Sequence, residues 1–127
     1  MEENQKALTQ LKGLLGLGMK SGQVVSGQET CLVYIRNKEA ELVVIDESLS
    51  ENSHKKVVNA CKTHNVDLIR FPVGWTGQAI GKSNRTVAAV LTGPLAQSMK
   101  LAAKALSEER YLLENKQIKG YVGGLGE

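Results

Sequence analysis

Apolar runs of strand length alternate with segments of helical spacing along most of this chain, and that alternation leaves few architectures open. "AELVVID" is an unbroken apolar run, the pattern of a central parallel strand covered on both faces, and "VDLIRF" and "RTVAAVLTG" are strands of similar composition. Between the first two lies "SLSENSHKKVVNACKTHN", which turns Val57, Val58 and Cys61 inward, opens with Ser48 at capping-box spacing from Glu51, and ends near Asn65. Upstream, "NQKALTQLKGLLGLGMKSG" sets Leu8, Leu11, Leu15 and Met19 on one helical face with Gly22 as its stop. "QVV" is a short extended stretch, and "QETCLVYIRN" is a helix stopping at Asn37. Downstream, "PVGWTGQAIGKS" reads as a loop with a short helix, and Pro94 fits the first turn of "PLAQSMKLAAKAL". An α/β domain follows, its sheet mostly parallel and sandwiched between helices.

The chain has 127 residues, enough to bury one core, and no domain boundary appears before roughly residue 106. Residues 1–105 are expected to form the domain, and 106–127 a C-terminal helical extension with a flexible Gly-rich tail. Cys31 and Cys61 sit in apolar helical segments without paired spacing, which fits buried free thiols in a cytosolic protein. No apolar run approaches a membrane span, so a cytoplasmic location with no membrane partner is expected.

Enzyme chemistry finds little support. "GQAIGKSNRT" imitates a phosphate-binding P-loop, but counting back from Gly81-Lys82-Ser83 puts Thr76 where the first glycine belongs, and a strand rather than a helix follows. "GLGMKSG" has loose dinucleotide spacing but ends a helix with no strand before it; glycines that permit close packing explain it better. His54, Cys61 and His64 share a helical face, yet His54 and Cys61 stand two turns apart, roughly 10 Å, too far for one tetrahedral ion. Both histidines lie on one helix, so no nucleophile with a placed base assembles. Asp46 and Glu47 end a parallel strand, where catalytic carboxylates often lie, or else form the turn into the next helix. No enzyme activity, cofactor or metal is expected.

Charge points elsewhere. Residues 1–65 balance eight acidic against eight basic side chains, whereas 66–105 hold only Asp67 against Arg70, Lys82, Arg85, Lys100 and Lys104. Such a half suits phosphate-bearing partners. In "VVSGQET" a strand passes through Ser26-Gly27 into a helix start, where unpaired N–H groups and the dipole welcome anions. Glu29 is either a dipole-stabilising residue or an acceptor for the adjacent N1–H and N2–H donors of a guanine, and Gln28 suits an unpaired or sheared base edge. Trp75 has two readings, a stacking platform for an unpaired base or an inward lid on the sheet edge. Lys20, Arg36, Lys82 and Arg85 are candidate phosphate contacts.

Taken in order, "MKSGQVVSGQETCLVYIRN", "AELVVIDESLSENSHKKV", "NVDLIRF", "TGQAIGK" and "RTVAAVLTG" resemble the kink-turn RNA-binding ribosomal proteins of the large subunit, the seven-Ae and thirty-e type, and especially their small bacterial YlxQ-type ribosomal-protein-like members. The similarity spans roughly residues 8–100. It implies a three-layer αβα sandwich with a mixed four-stranded sheet, and a translation-related ribonucleoprotein role on structured RNA, with ribosomal RNA and ribosomal proteins as the partner class. It places Gly27, Gln28 and Glu29 against the sheared G·A pairs of a kinked RNA, with Ser26 leading into the site and Trp75-Thr76 in the flanking loop. The chain departs from the family in carrying Gln28 for Asn, Leu32 for Lys, and a shorter Pro72–Thr76 loop with Trp75 for an aliphatic residue. A protein–protein adaptor on the same scaffold, without RNA specificity, is the alternative that Leu32 favours.

Overall fold

The computed structural model describes residues 2–106 and residue 111. Four strands, β1 (Val24–Ser26), β2 (Ala40–Asp46), β3 (Asp67–Phe71) and β4 (Val87–Leu91), form one sheet in the order β1-β4-β2-β3. β2 and β3 pair parallel, whereas β4 is antiparallel to both of its neighbours, β1 and β2. The mixed four-stranded sheet is as expected. Its mostly parallel character holds for strand direction, since β1, β2 and β3 run the same way, but not for pairing, where one ladder in three is parallel.

The β3–β4 connection contains only a short helix. Its helix, α4 (Trp75–Ile80), has 6 residues and spans only about 9 Å. The 5 residues of β3 extend over roughly 17 Å. That helix alone does not carry the chain back to the start of the sheet, and β4 begins where β3 finished and runs the other way. Consequently the C-terminal ends of β1, β2 and β3 share one rim with the N-terminal end of β4.

The helices α1 (Glu2–Lys20), α4 and α5 (Pro94–Ala103) cover one face, and α2 (Gln28–Arg36) and α3 (Glu51–His64) the other. Leu42 and Val44 of β2 join Leu8, Leu11, Leu15, Phe71 and Met99 in the first core. Val43 and Ile45 join Cys31, Leu32, Ile35, Val57 and Cys61 in the second. Successive strand residues face opposite layers, which is why this run has no polar alternation. Leu106 and Tyr111 belong to the first core, so packing continues past residue 105. The expected Gly-rich tail lies outside the described residues.

Local signals were partly misplaced by the sequence. The N-cap of α3 is Ser50, whose side chain accepts from the Ser53 N–H at 3.4 Å. Ser48, expected to cap, instead donates its hydroxyl to Asp46 at 2.6 Å. Asn65 closes α3 in the left-handed region, φ 57°. Gly16 owes its presence to packing, because a Cβ there would stand 2.8 Å from the Ala79 carbonyl oxygen of α4. At the opposite rim, Lys100 Nζ lies 3.0 Å from Glu41 and 3.6 Å from Asp67. Burial lowers the Lys100 pKa, but the Glu41 hydrogen bond and both carboxylate charges outweigh it, and the net shift is upward. One basic residue of the second half is thus engaged inside the fold.

Candidate functional site

Four connections meet at the shared rim. The first is the passage from β1 to α2, where Gly27 has φ 96° and ψ 139° and no side chain hydrogen-bonds as a cap among the described residues. Its N–H donates to the Val87 carbonyl at 2.9 Å, and its carbonyl accepts from Cys31 N–H at 2.9 Å. The first bond ties the helix start to β4, and the second closes the opening turn of α2. Gln28 is half-buried and Glu29 is exposed, so the acidic group faces solvent at the helix mouth.

Arg85 comes to the same point from the α4–β4 turn. A Cβ added at Gly27 would lie 2.4 Å from Arg85 Nη1, so the guanidinium rests on the glycine. Its charge also reaches Cys31, whose thiol is pushed up to about 12 by burial, with Arg85 acting in the opposite direction. A guanidinium beside the positive end of a helix is mildly unfavourable alone and becomes favourable when an anion sits between them.

The second and third connections are joined by Asp46, buried to 1% exposure at the end of β2. Its carboxylate accepts from Gly74 N–H at 3.0 and 3.1 Å, from Thr76 N–H at 3.3 Å, and from Ser48 N–H at 3.1 Å. Of the two sequence readings of this carboxylate, the turn organiser is the one the geometry matches. It caps α4 and holds the Pro72–Thr76 loop against the β2–α3 turn. Thr76 is fully buried, with no partner for Oγ1 among the described residues, and its side chain does not line the outer surface.

Trp75 also turns inward. Its ring stands edge-on to Phe71 at 6.1 Å and 71°, while Lys12 Nζ lies 4.6 Å over its centroid. Lys12 is held there by a 2.7 Å hydrogen bond to Gln78. The lid reading fits this placement, and one ring face is already covered by a cation. Trp75→Phe is expected to change affinity for any ligand at the rim by less than about 2-fold, measured by anisotropy titration, since this side chain stacks on α1 rather than on the rim.

The fourth connection is the turn from Gly81 to Thr86, in which Gly81 (φ 72°) and Asn84 (φ 70°) take left-handed conformations. Lys82, Ser83, Asn84 and Arg85 are all exposed. The turn follows a helix and precedes a strand, so it is no nucleotide cradle. Gly77 lets it fold tightly: Lys82 N–H donates to the Gly77 carbonyl at 3.0 Å, and a Cβ at Gly77 would meet the Lys82 carbonyl oxygen at 2.8 Å. Gly77→Ala is expected to cost about 1–3 kcal/mol, read as a lower melting temperature, because backbone must move to admit the methyl. Between this turn and the Pro72–Thr76 loop lies a groove of about 660 Å³, walled by Val73, Gln78, Lys82, Asn84 and Arg85.

The structure therefore gathers Ser26, Gly27, Gln28, Glu29, Lys82 and Arg85 at one rim. Lys20 lies apart, in a groove with Lys12 and Ala79 between α1 and α4. Arg36, in the last turn of α2, shares a different groove with Glu29. Sequence reasoning missed Asn84 and Val73 as groove residues. The first carried a readable signal, since Asn tolerates the left-handed conformation of a tight turn. Among the described residues no group of three or more His, Cys, Asp or Glu side chains is placed to hold a metal ion.

Comparison with known proteins agrees with the fold. Residues 9–102 match the model of the ribosomal protein L7Ae/L30e/S12e/Gadd45 family. The RNA-binding protein YlxQ of Bacillus subtilis (strain 168) is 38% identical over 78 residues, covering 61% of this chain and 78% of that protein. The RNA-binding protein YlxQ of Enterococcus faecium is 32% identical over 90 residues, covering 70% of this chain and 84% of that protein. Among solved structures, the Giardia lamblia 15.5kD RNA binding protein superposes with a TM-score of 0.65 at 19% identity, over 80% of this chain and 91% of its own. A Bacillus halodurans protein of unknown function superposes at 0.64 and 23% identity, over 72% and 94%. At such identities the two structures speak for the fold. The family match covers most of the described residues, from the middle of α1 to the end of α5, and by it the chain belongs to the ribosomal protein L7Ae/L30e/S12e/Gadd45 family.

Proposed function

We propose that this chain is a non-enzymatic, cytoplasmic RNA-binding factor that recognises kinked or internally looped RNA, with ribosomal RNA as its partner class. The observation that carries the reading is the helix mouth: an exposed carboxylate, Glu29, at a start without a side-chain cap, with Arg85 across Gly27. The carboxylate accepts from the paired N1–H and N2–H donors of a guanine whose edge is exposed by a sheared or broken pair. Gln28 donates and accepts beside it. Arg85 and Lys82 take the phosphates of the same strand, and the groove under Val73 receives an unpaired nucleotide. Two relatives named as RNA-binding proteins support the ligand class.

The test is a fluorescence anisotropy titration of a kinked RNA and a matched straight duplex across a salt series. Preference for the kinked RNA by at least about 10-fold, the equivalent of one base contact, is expected to persist as salt rises. Two phosphate contacts predict a slope of log affinity on log salt of roughly −1.4 to −1.8. Equal binding that disappears with salt would mean diffuse charge alone. Absence of binding to either RNA would favour a protein–protein adaptor.

A further inference from the structure

Arg36 and Lys56 lie outside the rim, and neither has an ion-pair partner among the described residues. Both line a groove of about 480 Å³ between α2 and α3, together with Glu29, Leu32, Asn59, Ala60, Thr63 and His64. Lys55, one residue away, is occupied by Glu51 at 4.0 Å, whereas Lys56 turns to the groove. β1 and β2 run the same way, so α2 and α3 both start at the rim and run side by side away from it. Glu29 stands at the groove entrance, and Arg36 and His64 stand at its far end, in the last turns of their helices.

We infer that this groove is a second RNA contact, taking the strand that leaves the helix mouth. The inference rests on the function proposed above. Leu32 and Ala60 supply a floor without charge, and the cations stand at the margins. Glu29 and Arg36 stand seven positions apart on the helix, roughly 10 Å, room for successive phosphates of one strand. The acidic residue repels phosphate at the entrance, where a base edge is read, and the unpaired cations accept it farther along. Asn59 and Thr63 offer neutral hydrogen-bonding groups to sugar and phosphate oxygens between them. Helix dipoles explain a basic residue in a last turn, such as Arg36, but not Lys56 in the body of α3.

Two kinked RNAs test it, one ending at the kink and one carrying a single-stranded extension of about six nucleotides, a length that exceeds the groove. The wild-type chain is expected to bind the extended RNA about 3- to 10-fold more tightly. The pair Arg36→Gln with Lys56→Gln should remove that gain, leave the short RNA unaffected, and lessen the salt slope for the extended RNA by roughly 1.4, two single-strand contacts. Asn59→Glu, an exposed substitution that leaves both cations in place, should remove it too. An extension that adds nothing, or variants that weaken both RNAs equally, would overturn the inference while the helix-mouth reading stands. A wild-type chain with no preference for the kinked RNA over duplex would overturn both.

Discussion

Glu29→Ala is expected to lower affinity for a kinked RNA by roughly 10- to 100-fold, the 1–3 kcal/mol that one bidentate base contact contributes. Affinity for a straight duplex should stay level or rise slightly, because a negative charge has left the surface. The fold should survive. Glu29 is exposed, and its first-turn position contributes only about 0.3–1 kcal/mol through the helix dipole. Loss of discrimination with a nearly unchanged melting temperature separates base reading from a merely structural acid. Glu29→Gln keeps an acceptor oxygen without charge, and an intermediate loss is expected, since hydrogen bonds to charged groups are about twice as strong as neutral ones.

Asp46→Ala is the second substitution with a large effect, and it acts through architecture. The side chain is nearly inaccessible and accepts from the backbone N–H groups of Ser48, Gly74 and Thr76 and from the Ser48 hydroxyl. Removing it strands several donors at once, each costing about 1–3 kcal/mol when buried. Water entering the gap relieves part of this, so a loss of roughly 3–5 kcal/mol is expected, measured by denaturant unfolding. The Pro72–Thr76 loop loses its anchor, and one wall of the rim groove goes with it. RNA affinity should therefore fall even under conditions where most molecules remain folded. Asp46→Asn keeps one acceptor oxygen and should lie between the two.

Legibility in the sequence followed the range of the interactions. Helices and strands were readable because their signals are local: the unbroken apolar run of β2 reports burial on both faces, and Pro94 reports a helix start. Strand pairing was less so. β4 follows the short helix α4 and runs antiparallel to its neighbours, a pairing that composition does not show. The capping box at Ser48 failed because a stronger nearby acceptor, the Asp46 carboxylate, took its hydroxyl, and Ser50 capped the helix instead. At the site, Gln28 and Glu29 were legible from the helix start, whereas the approach of Arg85 to Gly27 needed the β1–β4 ladder to bring together residues 58 positions apart. Trp75 could not be oriented from sequence, since its direction is set by Phe71 and Lys12 on two other elements.

Central to this account is an acid at the start of α2 that meets the amino and imino groups of one guanine. The most direct measurement is a double-mutant cycle between Glu29→Ala and replacement of that guanine by inosine, which lacks the N2 amino group, scored by dissociation constants for the kinked RNA. If the two groups touch, each change alone weakens binding, and inosine costs the Glu29→Ala chain almost nothing further. Losses that multiply independently, or a wild-type chain indifferent to inosine, would contradict the account.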